Sequence, residues 1–163
     1  MLEPTGQREF WYQSFHQLPL AGELIDGAPA AVRGYLAHFW SHWSGPSFTL
    51  ADADLDHLVA GYGMPGAFTA SIGWYRAGAG SVARSLTEEP PAPADRIAIP
   101  VTVLWPQHDP LFPQAWADRV AEFYSDITVR FVDGVGHFAP LEYPAQLAGA
   151  VRDALALSRP AAG

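Results

Sequence analysis

Ile97-Ala98-Ile99-Pro100-Val101-Thr102-Val103-Leu104-Trp105 is a β-branched, nearly continuous apolar run. That pattern predicts a strand buried on both faces of a parallel sheet. Working outward, Pro113 to Tyr124 carries Trp116, Val120, Phe123 and Tyr124 along one side and predicts a helix. Ile127 to Val132 predicts a second strand, and Pro144 to Leu157 a final helix. Strand, helix, strand, helix is a parallel βαβα unit, which places the fold in the α/β class. Two strands make a poor parallel sheet, so the α/β part, residues 96–158, reads as the incomplete last segment of a larger one.

On the amino-terminal side, Thr87-Glu88-Glu89-Pro90-Pro91-Ala92-Pro93 opens a Pro-rich linker over 87–95, because prolines this close allow neither helix nor strand ladder. Before it, residues 9–86 form a helical block rich in aromatics. Ala30 to Trp43 has Val32, Tyr35, Leu36, Phe39, Trp40 and Trp43 spaced three and four apart, the stripe of a core-facing helix. Thr49 and Asp52 fit a capping box that starts a helix running through Leu55, Leu58 and Val59 to Gly61 and Gly63. Ala67 to Ala77 predicts one further helix.

Composition removes several classes of function. Hydrophobic residues make up 49% and charged residues 16% of the 163, a globular balance that excludes wholesale disorder. Nine basic residues, all Arg, against 17 acidic ones give 9 − 17 = −8. No basic patch that could neutralise phosphates follows from such a balance, so neither nucleic acid nor an anionic membrane is expected as partner. With no Cys there is no disulfide framework, thiolate metal site or Cys nucleophile. The opening Met1 to Gly6 lacks the regions of a signal peptide, and no apolar run reaches the roughly 18 residues of a membrane span. A cytoplasmic protein is the expectation.

Ligand-contacting groups of open α/β sheets gather at the carboxyl ends of the strands. Asp109 follows the first strand, in Trp105-Pro106-Gln107-His108-Asp109-Pro110. His137 follows the second, in Asp133-Gly134-Val135-Gly136-His137-Phe138. Neighbouring parallel strands end on one edge, so these loops can meet, and a carboxylate bonded to an imidazole fixes its tautomer and steadies the imidazolium. Each residue alone reads as a turn former or a surface side chain; the pair reads as two members of a nucleophile–His–acid triad. His108, beside Asp109, reads as a bystander. His38 and His42 share a helix face without a third ligand, and Asp52, Asp54 and Asp56 lack the rest of a calcium loop, so no metal is expected.

The Gly136-His137-Phe138 loop followed by Glu142-Tyr143-Pro144, with His108-Asp109-Pro110 one strand earlier, resembles the carboxyl-terminal end of the α/β-hydrolase fold. Three helical stretches, Trp11-Tyr12-Gln13-Ser14-Phe15-His16-Gln17-Leu18, His38-Phe39-Trp40-Ser41-His42-Trp43-Ser44 and Trp74-Tyr75-Arg76-Ala77, resemble the cap domain of bacterial soluble epoxide hydrolases. The resemblance runs from about Glu9 to Leu157. It implies a helical cap followed by the last parallel βαβα segment of an α/β-hydrolase, with no cofactor. It further implies that Tyr12 and Tyr75 donate to the epoxide oxygen, that His137 is the general base and that Asp109 orients it. Trp11, Trp74 and Phe138 would then line the substrate pocket.

Such enzymes attack the epoxide with an Asp carboxylate, yet neither Gly-x-Asp-x-Gly nor Gly-x-Ser-x-Gly occurs in these 163 residues. Ser14 and Ser71 lie in helical sequence and cannot substitute. Three readings follow. One is the cap and carboxyl-terminal part of an epoxide hydrolase from a truncated or split gene, inactive alone, with another chain or segment supplying the amino-terminal half. The second is a dehalogenase of the same superfamily, to which Trp11 and Trp74 are compatible. The third is a non-catalytic binding module or partner-dependent protein.

Overall fold

The structure, a computed structural model, describes residues 4–77 and 87–157. The end of the helical block (78–86) and residue 158 lie outside the described residues. These fall into two compact units, one within Met1–His42 and Thr49–Glu88, the other within Trp43–Phe48 and Glu89–Gly163.

The first unit is helical. Its elements are α1 (Pro4–Glu9), α2 (Trp11–Gln17), α3 (Pro19–Ile25), α4 (Pro29–Trp43), α5 (Asp52–Tyr62), α6 (Ala67–Ser71) and α7 (Gly73–Ala77). Prolines open α3 and α4, where the missing N–H would have had no helical partner. Ala21 and Ile25 from α3, Val32 from α4, Phe68 from α6 and Ile72 form the buried core, with Phe15, Tyr35, Leu36, Val59 and Tyr75 packed against it. Val32, Tyr35 and Leu36 of the stripe read along α4 thus face this unit's core, whereas Trp43 at its end belongs to the second unit. Asp26, just past α3, accepts from the N–H groups of Gly66 (2.8 Å) and Thr69 (3.1 Å) at the start of α6. Those N–H groups of Thr69 and Gly66 hold its carboxyl below the usual range.

Two helical expectations need correction. The capping box at Thr49 does not form: α5 starts at Asp52 with Ala51 as its cap, and no side chain bonds there. Thr49 therefore precedes the helix, and the Ala51 carbonyl accepts from Asp54 and Leu55. The single helix expected over Ala67 to Ala77 is two. Ile72 turns into the core while the Ser71 hydroxyl donates to the Phe68 carbonyl at 2.7 Å, competing with the helical ladder.

The second unit holds β1 (Val101–Pro106) and β2 (Ile127–Val132), paired parallel with Val101 opposite Ile127 and Pro106 opposite Val132. A 3-10 helix (Gln114–Glu122) connects them, and α8 (Ala139–Glu142) and α9 (Pro144–Leu157) follow. The first strand is shorter than its apolar run and only half-buried, contrary to expectation. Pro100 has no N–H to give, so regular pairing begins at Val101; Ile97 makes only an isolated bridge to Tyr124, and Ile99 is 68% exposed. The connecting helix is 3-10 rather than α. Gln114, Ala117 and Val120, partly buried, and Phe123 just past the end recur every third residue, which matches three residues per turn, and Trp116 falls off that face. A 3-10 turn (Pro93–Asp95) also interrupts the Pro-rich linker.

Trp43–Phe48, which ends α4 and continues beyond it, packs in the second unit against the turn after β2. The backbones come so close that a Cβ on Gly136 would overlap the Trp43 carbonyl oxygen and the Gly45 nitrogen, and one on Gly45 would overlap the Gly134 carbonyl oxygen. Only hydrogen fits at either position. Gly136→Ala is expected to cost about 2–3 kcal/mol, the scale of overpacking. By contrast Gly34→Ala, whose Cβ meets open space in α4, should gain about 0.5–1 kcal/mol. Thermal melts of both variants check this, and a Gly136→Ala protein melting no lower than the parent would contradict it.

Candidate functional site

The two carboxyl-end loops of the sheet do meet. The Gln107 and His108 N–H groups donate to the Val132 and Val135 carbonyls, each at 2.9 Å, which continues the strand pairing into the turns. Asp109 is buried, at 8% exposure. Its Oδ1 accepts from the N–H groups of Leu111 (2.9 Å) and Phe112 (3.1 Å), and its Oδ2 meets His137 Nδ1 at 2.9 Å. The turn-forming and imidazole-orienting roles weighed against each other in the sequence are therefore held by one side chain, one oxygen each.

Burial pushes the Asp109 carboxyl up, but the His137 hydrogen bond and charge, with the Leu111 and Phe112 N–H groups, outweigh it and hold the group below its ordinary value. A carboxylate accepts only, so Nδ1 carries the proton of this bond, and Nε2 is the ring nitrogen left to exchange a proton with a ligand or water. Trp43 stands edge-on to the His137 ring at 5.2 Å, and Phe112 and Phe138 lie 6.2 and 5.4 Å away. Of the expected pocket residues, Phe138 therefore flanks His137. His108 is exposed.

In the first unit, Tyr12 on α2 and Tyr75 on α7 come together with ring centroids 5.9 Å apart, edge to face. Burial above all, then the Tyr12 hydroxyl and its charge, push the Tyr75 phenol well above its ordinary value, so it stays protonated at neutral pH. Trp11 stacks on Phe39 at 6.0 Å, and Trp74, 64% exposed, lies against Tyr75 at 3.8 Å. His38 and His42 stack at 5.5 Å, and His42 Nε2 meets Glu9 Oε2 at 2.8 Å. Among the described residues there is no group of three potential metal ligands, and no helix is long and apolar enough to cross a membrane.

Two residues that stand in the quoted motifs but were given no role from the sequence pack against these groups. His16 is 6% exposed, one turn after Tyr12, with Nε2 2.6 Å from the Tyr35 hydroxyl and its ring 4.6 Å from that of Tyr75. The i, i+4 spacing from Tyr12 was the available signal. Burial, reinforced by the Arg76 charge, lowers His16 to about 4. Glu142 is the other, four residues after Phe138, its carboxylate bonded to the loop that carries His137.

No family model matches the chain, and neither does any curated protein. Solved structures do match. Cfl2 of Burkholderia cenocepacia is 25% identical with a TM-score of 0.71, over 94% of this chain and 50% of that one. The epoxide hydrolase CorEH is 22% identical with a TM-score of 0.74, over 98% of this chain and 54% of that one. A Salmonella enterica structure titled as an acyltransferase is 15% identical with a TM-score of 0.75, over 98% of this chain and 52% of that one. The α/β-hydrolase resemblance is borne out as a fold: these residues are consistent with a cap plus the carboxyl-terminal part of that fold. The chain spans about half the length of the structures it matches.

His16 makes the first unit acid-sensitive in a defined window. Unfolded, it titrates near 6.5, and folded near about 4, so between these values the unfolded chain holds more protons. Stability should fall by roughly 3 kcal/mol as pH drops from about 6.5 to about 4. In His16→Gln, which keeps a polar group toward Tyr35 but does not titrate, this part of the slope is expected to vanish. Melting temperatures from pH 7.5 to 4 decide the matter; an unchanged slope in the variant would refute it.

Proposed function

We propose that these residues serve an epoxide hydrolase, converting an epoxide to a vicinal diol through an Asp ester, with the nucleophile supplied from chain outside the 163 residues. The observation that carries the reading is the Tyr12–Tyr75 pair, one member of which is held firmly protonated. Opening an epoxide creates an alkoxide, and phenolic donors placed where that charge develops are what the step requires. In the proposed sequence a carboxylate oxygen attacks an epoxide carbon, the C–O bond breaks, and the leaving oxygen takes its proton from a tyrosine. His137 Nε2 then removes a proton from water, and the hydroxide adds to the ester carbonyl. The ester C–O bond breaks and the diol departs with the hydroxide's proton as the carboxylate is restored, and the proton held by His137 passes through solvent back to the tyrosinate. Asp109, kept ionised, steadies the imidazolium formed between.

A partner or adjoining segment has physical support as well. Among the described residues β1 and β2 pair only with each other, and Ile99 and Phe131 are exposed, as more sheet would cover them. Trp11 and Trp74, each next to one of the tyrosines in sequence, are compatible with the dehalogenase alternative, which halide release would reveal.

The pure chain is expected to leave styrene oxide untouched. Mixed or fused with the amino-terminal half of an epoxide hydrolase, it should form diol. In that assembly Tyr75→Phe should lower kcat about 100-fold, and Asp109→Asn about 10³-fold or more. Diol formation unaffected by Tyr75→Phe, or turnover by the pure chain abolished by His137→Ala, would overturn the reading.

A further inference from the structure

His137 sits on a turn in which three successive amides are all bonded. The Gly136 N–H donates to Glu142 Oε2 at 2.7 Å, the His137 N–H to the Trp43 carbonyl at 2.7 Å, and the Phe138 N–H to Glu142 Oε1 at 3.0 Å. The Glu142 carboxylate accepts a third backbone donor, the Gly45 N–H, on Oε2 at 2.8 Å. One carboxylate thus gathers N–H groups from both sides of His137 and from the segment that continues α4. Hydrogen bonds to an ionised acceptor are shorter and stronger than neutral ones, and three converging on one side chain resist rotation of the turn in any direction.

The surrounding sequence suits such an anchor. Gly45 and Gly136 leave no Cβ where the two backbones cross, and a Cβ on Gly45 would also stand 2.9 Å from Glu142 Oε2. Trp43, the residue whose carbonyl takes the His137 N–H, places its ring against the imidazole. Glu142 is four residues past Phe138 at the end of α8, so a single helical turn carries the carboxylate back to the loop it holds.

We propose that Glu142 is a positioning residue for the His137–Asp109 pair: by clamping the backbone of Gly136, Phe138 and Gly45, it fixes the place of the imidazole relative to Asp109. The inference deepens the hydrolase reading, in which His137 is the base, but its test needs no turnover. Failure of diol formation would leave it standing, and failure of the test below would leave the hydrolase chemistry standing.

The experiment is NMR on the full chain. The His137 Nδ1–H proton bonded to Asp109 should give a low-field resonance, and the amides of Gly45, Gly136 and Phe138 should exchange slowly. Glu142→Gln replaces one acceptor oxygen with an NH2 that opposes the donors. It is expected to speed exchange of those three amides at least tenfold and to broaden or abolish the low-field resonance, while Leu111 and Phe112, bonded to Asp109, keep their protection. Val103→Ala, which weakens the same unit away from the loop, should retain the resonance. The proposal is overturned if Glu142→Gln keeps the resonance unchanged, or if Val103→Ala loses it equally. Should Glu142→Gln not fold, Glu142→Asp decides, because it keeps the carboxylate but draws it back by one methylene. The Gly45, Gly136 and Phe138 amides should then exchange at least tenfold faster while Leu111 and Phe112 keep their protection, and unchanged exchange of the three would overturn the clamp.

Discussion

The second unit is organised around a place where two stretches of backbone pass with nothing but hydrogen between them. Gly45 and Gly136 make that crossing possible, and the Glu142 carboxylate sits over it, collecting N–H groups from both strands of the crossing. A larger residue at either glycine would push backbone against backbone, where no rotamer change can relieve the overlap. The turn after β2, the position of Trp43 and the presentation of His137 all follow from this one contact. It also explains why a short segment at the end of a long helix belongs with the sheet rather than with the helical unit.

The pairing of Asp109 with His137 depends on that turn and on a second one. Asp109 is fixed by two backbone N–H groups on one oxygen, leaving the other for the imidazole. The carboxylate is kept ionised in a buried place because every charge-stabilising contact is already in position before any ligand arrives. In the helical unit, aromatic packing plays the corresponding part. Tyr12 and Tyr75 lie within a cluster that includes Phe39, Tyr35, Phe68 and His16. Burial there raises the Tyr35 and Tyr75 phenols and lowers the His16 imidazole, so these three groups are held neutral.

Much of this was legible in the residues. The βαβα order, the second strand and the last helix follow from runs whose periodicity is unambiguous, and Ile127–Val132 and Pro144–Leu157 fall where the pattern put them. The convergence of Asp109 and His137 followed from strand order alone, since parallel neighbours end on one edge. What misled were stretches with two readings. An apolar run suggested burial on both faces, yet Pro100 cut it and Ile99 stayed exposed. The segment after Pro113 has apolar spacings of three and four, and packing selected the three-residue repeat. Glu142 and His16 stood inside the motifs that carry the resemblance but were given no role, because which groups a Glu on a short helix or a His among aromatics will meet depends on segments distant in sequence.

The sequence by itself determined the class of fold, the order of its elements and the chemical identity of the groups at the strand ends, because these depend on local periodicity and on the topology of parallel strands. Only the tertiary structure decided which oxygen of Asp109 faces His137, that Tyr12 and Tyr75 touch, and that Glu142 holds the loop between them in sequence. Those facts rest on contacts between residues as much as 97 positions apart, as Gly45 and Glu142 are, and on backbone approaches too close to admit a Cβ. Periodicity does not encode distances of that kind; close packing does.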